Sequence, residues 1–392
     1  MIKVAIILER ADIALGGAER SIFELTRCLR ANGVDVTLLA AKGKAQSGEV
    51  QILCTRKGKR ITFKRFGKLL RRHFAENTYD IIHSTLPYDF ADIYQPRGGS
   101  YPESIIQNAA SYESAFKTRY KKLTHFTNLR RTQLVLAEKR LCRPQCSTIV
   151  AALSEYVKSQ FVKHYHLSAD RVRVIHNGVK LVTKLEPDAA KALQSQVRAK
   201  LGIAPGDKAT LFLFAANNFR LKGLAQLIQA LATVRKIDTE AEPYVVVAGS
   251  DSSQKYRAIA KDLNVANRIV FLGSLRSIQN ALEITDLAVL PTFYDPCSRF
   301  ILEALARGKP AITTKYNGAG EAFTDTVHGK RVDDPRNTEQ LAQAMTYFCN
   351  EDNLRNAKHA IKEDGLAEKV SIDRHSREII ELYKDILKRK RS

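Results

Sequence analysis

The sequence predicts an α/β protein made of two successive parallel-sheet domains. Three observations predict it. The chain has 392 residues, 44% apolar and 27% charged, a globular composition at a length that one ordinary core does not fill. It opens on a strand, a glycine-bearing turn, a helix and a second strand, the repeating unit of a parallel sheet. After a polar stretch at Leu181–Pro205, read as a linker with a short helix, a second strand–helix series begins.

Lys3–Leu8 reads as a buried strand, and the first residues are too short an apolar run for a signal peptide. Gly16 and Gly17 form the turn. Ile22, Phe23, Leu25 and Leu29 follow at helical spacing, and Asn32-Gly33 stops that helix. Val34–Ala40, Ile81–Ser84, Thr148–Leu153 and Val172–Ile175 read as further strands, and Ser154–His164 as a helix capped by Ser154. In the second half, strands are expected at Thr210–Phe214, Tyr244–Ala248, Ile269–Leu272, Leu287–Leu290 and Ala311–Thr313. Helices at Leu224–Val234, Gln254–Leu263, Ile278–Ile284, Phe300–Arg307 and Thr338–Phe348 separate or follow them, and Val370–Lys388 is the last. No apolar run reaches the roughly 18 residues of a membrane span.

One motif carries chemistry. In Tyr294-Asp295-Pro296-Cys297-Ser298, a turn opens into a helix that is expected to begin near Ser298 and to carry Glu303. The N–H groups of a first helical turn suit phosphate. Glu303 can accept hydrogen bonds from a ribose diol, and Asp295 can face the group on the distal phosphate. A buried carboxylate on the apolar helix Phe300–Ala306 calls for a polar partner, which a ligand would supply. Asp295 could equally start the turn with Pro296. Two successive α/β domains with a nucleotide-type site in the second place the expected catalytic cleft between them.

The six cysteines have no framework spacing and read as free thiols in a reducing cytoplasm, and no Asp-x-Asp element suggests a metal. The net charge of +22 is uneven. Residues 1–184 hold 32 Lys and Arg against 15 Asp and Glu, whereas the rest hold 31 against 26. Thr55–Phe74 carries nine basic side chains and no acid, with Phe63, Phe66, Leu69, Leu70 and Phe74 interleaved; Lys117–Arg131 forms a second basic cluster. Either alone reads as a solvated helix face. Together, in one basic half, they point to an anionic membrane surface. Nucleic acid would explain the charge but not Asp295 and Glu303, and no nucleic-acid-binding signature occurs.

The Gly-Gly turn, Leu153-Ser154, Ile175–Val179, Lys222-Gly223 and Asp295…Glu303 occur in the order of the family-4 retaining glycosyltransferases (glycosyl transferases group 1), which the whole chain resembles. Asp92–Tyr101 and the basic region after it are similar to the WaaG-type lipopolysaccharide core glucosyltransferases. The resemblance implies the GT-B fold, two Rossmann-like domains facing each other across a cleft. Residues 1–184 would bind the acceptor and 185–370 the nucleotide sugar, with the helix of 371–392 packing back on the first domain. It implies that Glu303 holds the ribose, that Cys297 and Ser298 give N–H groups to the diphosphate, and that Lys222 is the phosphate lysine. Asp295 stands in register with the family's first acid, one methylene shorter. Asn217 replaces the usual arginine, and Arg220 is positioned to take over its charge. Gly16 and Gly17 let the first loop approach phosphate or acceptor. Arg97 stands near the family's usual histidine. Asp295, Lys222 and Arg220 are thus the catalytic candidates, and Gly16, Gly17, Asn217, Cys297, Ser298 and Glu303 the binding ones.

The expected reaction is metal-independent, cofactor-free transfer of a hexose, with retention, from a UDP-sugar (UDP-glucose) to an anionic glycolipid such as the heptose of the lipopolysaccharide inner core. The protein would act as a cytoplasmic, peripheral enzyme on the inner face of the membrane. A GT-B enzyme for another sugar or acceptor, or a degenerate nucleotide-sugar-binding module, is the alternative.

Overall fold

The computed structural model describes all residues except 13–16, 44–49, 55–60, 115–118, 120–127, 182–186 and 392. The chain divides into two compact units, each built on a parallel sheet. Unit 1 comprises residues 1–109, 113–179 and 372–392; unit 2 comprises 110–112 and 180–371.

Unit 1 runs β1 (Lys3–Ala11), α1 (Gly17–Ala31), β2 (Asp35–Gly43), β3 (Val50–Ile52), α2 (Phe63–Glu76), β4 (Ile81–Ser84), β5 (Ile93–Tyr94), α3 (Tyr101–Ala110), α4 (Leu129–Leu141), β6 (Ile149–Ala152), α5 (Glu155–Tyr165) and β7 (Val172–Val174). Its strand order is β3-β2-β1-β4-β5-β6-β7, so chain direction across the sheet reverses between β1 and β4. Val4 to Leu8 of β1 are all buried, as a strand covered on both faces requires. Gly33 ends α1 with φ +79°, a left-handed turn that glycine adopts without steric cost. Ser154 caps α5, its Oγ accepting the Val157 N–H at 3.1 Å.

Unit 2 runs α6 (Pro187–Leu201), β8 (Thr210–Ala215), α7 (Leu224–Ile237), β9 (Pro243–Ala248), α8 (Gln254–Asp262), β10 (Ile269–Gly273), α9 (Ile278–Ile284), β11 (Leu287–Leu290), α10 (Arg299–Ala306), β12 (Ala311–Thr314), β13 (Gly329–Val332), α11 (Thr338–Cys349), α12 (Glu351–Glu363) and α13 (Leu366–Lys369). The order is β10-β9-β8-β11-β12-β13, reversing between β8 and β11. The chain then returns to unit 1 as α14 (Ile372–Arg391). Ile372, Ile379, Leu382, Tyr383 and Ile386 of α14 join the core that includes Ile22, Leu25 and Leu29 of α1.

Three expectations change. The polar stretch read as a linker contains the fifteen-residue helix α6, which buries only Ala190, Val197 and Leu201 and packs on α9. That small apolar load is why its sequence looked like a connector. The basic-amphipathic segment also changes. Residues 55–60 lie outside the described residues, but from Thr62 onward the segment is helix α2. Phe66 and Leu70 are buried, and Phe63 and Phe74 pack against the same core with Tyr88. The apolar stripe faces inward and is not a membrane-inserting surface; Lys64, Arg65, Lys68, Arg71 and Arg72 are exposed on the other side. In the second cluster, Lys117, Lys121 and Lys122 lie outside the described residues, whereas Arg119 and Arg130 are exposed. Finally, β3, β5, β13, α3 and α12 were not read from the sequence.

Candidate functional site

The site residues of unit 2 gather at the carboxyl ends of β8 and β11, where the sheet order reverses. This is the position at which open α/β sheets bind ligands. The loop after β8 and the loop after β11 are hydrogen-bonded: Phe293 N–H donates to Leu221 O at 2.9 Å and Thr292 Oγ1 to the same oxygen at 3.2 Å. Gly223, at φ +79°, makes this approach possible, because a Cβ there would lie 2.0 Å from Pro291 O.

That contact brings Lys222 to Asp295. Lys222 Nζ lies 2.7 Å from Asp295 Oδ2 and also donates to Tyr294 O at 2.8 Å. Both side chains are mostly buried, at 18% and 16% exposure, so solvent screens the pair weakly. Asp295 Oδ1 accepts the Cys297 N–H at 3.2 Å, the local turn bond expected of aspartate before proline. Asp295 thus orders its own turn and neutralises Lys222.

Ser298 is the N-cap residue of α10. Its N–H donates to Asn317 Oδ1 at 3.1 Å, and the same oxygen accepts the Ala319 N–H at 3.1 Å. Asn317 Nδ2 in turn donates to Thr313 Oγ1 at 2.9 Å. The expected diphosphate donors, the N–H groups of Cys297 and Ser298, are therefore already engaged inside the chain. A diphosphate bound there would have to compete with Asp295 and Asn317 for them. Sequence reasoning missed Asn317; its signal was the Asn-Gly turn dipeptide after β12.

Glu303 is buried, and Arg299 NH2 meets its Oε1 at 3.2 Å, one turn back on α10. The polar partner that this carboxylate demands is thus supplied by the chain itself, so its burial alone does not require a ligand. The i, i+4 spacing was the signal for this pair. The guanidinium of Arg220 stacks 3.9 Å over the Tyr112 ring and hydrogen-bonds Ser111 Oγ. Asn217 Oδ1 accepts a bond from Ser250 Oγ at 3.3 Å. Unit 2 thus brings Lys222, Asp295 and Cys297 into one hydrogen-bonded cluster, with Ser298 beside it held by Asn317. Asp334, next to Asp333 in the loop after β13, accepts two bonds from the Arg336 guanidinium at 3.1 and 3.2 Å.

In unit 1, Gly17 is the first residue of α1 and Gly16 lies outside the described residues. Arg97 NH1 donates to Asn177 Oδ1 at 3.1 Å, and Ser21 Oγ donates to the same oxygen at 3.2 Å. His83 is wholly buried with Nδ1 2.8 Å from Tyr383 Oη. Burial, aided by the Arg97 charge, pulls its pKa down to about 3, so it is neutral. Among the described residues, no helix is long and apolar enough to cross a membrane.

This fold and cluster define a class. The profile described as Glycosyltransferase Family 4 matches residues 15–182, and that described as Glycosyl transferases group 1 matches residues 195–365. The chain belongs to this family of glycosyltransferases and has its GT-B fold. Its relatives include the lipopolysaccharide glucosyltransferase WaaG of Escherichia coli, 22% identical over 295 residues, which span 74% of this chain and 75% of that protein. An uncharacterized glycosyltransferase of Methanocaldococcus jannaschii is 25% identical over 238 residues, 60% of this chain and 59% of the relative's length. A crystal structure of WaaG, described as involved in lipopolysaccharide biosynthesis, matches with a TM-score of 0.74 at 20% identity, covering 97% of this chain and 99% of that one. HepE of Anabaena, solved with UDP and glucose, matches at 0.69 and 18% identity, covering 98% and 100%.

Proposed function

We propose that the chain is a retaining, metal-independent hexosyltransferase that moves glucose from UDP-glucose to a membrane-associated anionic glycolipid, such as the heptose of the lipopolysaccharide inner core. It would act as a peripheral protein on the cytoplasmic face of the membrane. The observation that carries this reading is the Lys222–Asp295 pair beside the N-terminus of α10, with Glu303 farther along that helix. The UDP and glucose named for HepE and the lipopolysaccharide role named for WaaG support the donor and acceptor chosen.

The chemistry follows from charge. Breaking the bond between the anomeric carbon and the β-phosphate oxygen leaves negative charge on UDP. Lys222, Arg220 and the partial positive end of α10 meet that charge, the largest electrostatic contribution in reach. Lys222 would have to turn from Asp295 to the phosphate as the charge develops. The acceptor hydroxyl forms the new bond on the same face as the leaving group, and its proton passes to the departing phosphate oxygen. Asn317 would hold the Ser298 turn in place.

The test is nucleotide release from a panel of UDP- and GDP-sugars by the purified protein, with Lys222→Ala and Glu303→Ala as controls. UDP-glucose alone should be turned over. Lys222→Ala should lower the rate by about 10²- to 10³-fold, the usual loss for one transition-state donor. EDTA should leave the rate unchanged. Turnover that survives in both variants, or is abolished by EDTA, would sink the proposed mechanism.

A further inference from the structure

A cavity of about 660 Å³ opens in unit 1 at the carboxyl ends of β1 and β2, against the first turns of α2 and α4. Nothing in the donor chemistry of unit 2 uses it. Ala41, Ile61, Phe63 and Leu129 make its apolar wall. The Phe63 ring is fixed by stacking on Tyr88, with centroids 4.4 Å apart. Leu129, the first residue of α4, is 76% exposed. A leucine left that open contributes little to folding and gains most of its burial energy only when something covers it.

The charged groups at the cavity are unbalanced. Arg130 pairs with Glu9, and Arg10 and Lys42 then stand against Asp12 alone. Lys64 and Arg65, exposed on the first turn of α2, add to the positive side. Thr62 and Gln133 also line the cavity, but the side made by Ala41, Ile61, Phe63 and Leu129 offers a sugar ring no hydrogen bonds and suits a hydrocarbon chain. An apolar wall with excess cations at the mouth fits an amphiphile, tail inside and anionic head outside.

We propose that this cavity holds the acyl tail of the anionic lipid acceptor, with Lys42 and Arg10 on its head group. The proposal rests on the reading of the chain as a glycolipid glycosyltransferase and adds a subsite that grips the lipid itself. Binding a tail here selects acceptors by their lipid as well as by their sugar.

Titration calorimetry of the full chain with octyl, decyl and dodecyl phosphate, each below its critical micelle concentration, tests it without any vesicle surface. Affinity should rise by about fourfold per methylene, the increment for burying one CH₂. Leu129→Asp should weaken dodecyl phosphate by at least about tenfold and flatten the chain-length series. This variant keeps its fold, because an acid at the first helical position is favourable. Lys42→Gln should weaken all three phosphates equally. No chain-length dependence, or one that Leu129→Asp leaves intact, overturns the proposal. So does equal binding of an uncharged dodecyl glycoside. UDP titrated into the same samples separates the two readings. UDP binding without amphiphile binding refutes the cavity alone; amphiphile binding without UDP binding refutes the donor site alone.

Discussion

Lys222 and Asp295 sit 2.7 Å apart and mostly out of water, so each is the other's principal electrostatic neighbour. Asp295→Asn removes the charge that competes with a diphosphate for Lys222. UDP should then bind about three- to tenfold more tightly, the scale of one partly screened charge at this range. Turnover should fall, because the turn bond to the Cys297 N–H weakens. Lys222→Ala strands the carboxylate and should lower thermal stability, whereas Lys222→Met with Asp295→Asn should recover much of it. Calorimetry with UDP and melting curves of the four proteins check this; unchanged or weaker UDP binding in Asp295→Asn would mean that Asp295 does not restrain the lysine. The sequence showed these residue types and their order, but not that they neutralise each other. That depends on the loop-to-loop contact through Gly223, a long-range event invisible to local pattern. Asn317 was missed for the same reason: it serves residues 298 and 319 from a turn that looked merely connective.

At the scale of elements, legibility tracked apolar load. Strands buried on both faces, such as β1 and β11, and helices with a dense apolar stripe, such as α7, were plain in the sequence. Two-residue β5 and the cation-bearing β13 were not, because pairing with neighbours rather than composition makes them strands. Helix α4 shows how one buried group fixes an element. Glu138 accepts bonds from Tyr94 Oη (2.8 Å), Tyr165 Oη (2.7 Å) and the Tyr101 N–H (2.9 Å), tying α4 to β5, α5 and the start of α3. Burial pushes its carboxyl up to about 7 against the opposing pull of those three bonds. An acid whose folded pKa lies above its unfolded value holds its proton more tightly when folded. Its stabilisation is therefore complete below about pH 4.5 and is lost as the pH rises through 7, by about 3 kcal/mol. Glu138→Gln cannot titrate. The stability gap between wild type and variant, from urea unfolding, should be wider at pH 5 than at pH 8. A gap independent of pH would show that Glu138 ionises normally.

At the scale of the whole molecule, the excess of basic residues in the first 184 positions is the feature the sequence made most visible and the fold reinterprets most. Helix α2 buries its apolar face in the unit 1 core, so any membrane contact it made would have to come from its exposed lysines and arginines. Attraction of that kind is electrostatic without insertion. It should appear only with anionic lipid and vanish as added salt shortens the screening length from about 10 Å at 0.1 M to about 3 Å at 1 M. Each cation near an anionic surface is worth about 1 kcal/mol, so reversing Lys64, Arg65 and Lys68 to Glu should weaken vesicle binding by at least about 100-fold. Reversing Lys236 and Lys261 in unit 2 should change little. Flotation with vesicles containing anionic lipid, at low and high salt, measures both. Binding that persists in high salt or to neutral vesicles would mean an apolar surface drives it, and among the described residues of unit 1 the exposed Leu129 and Leu136 of α4 would be the first to test.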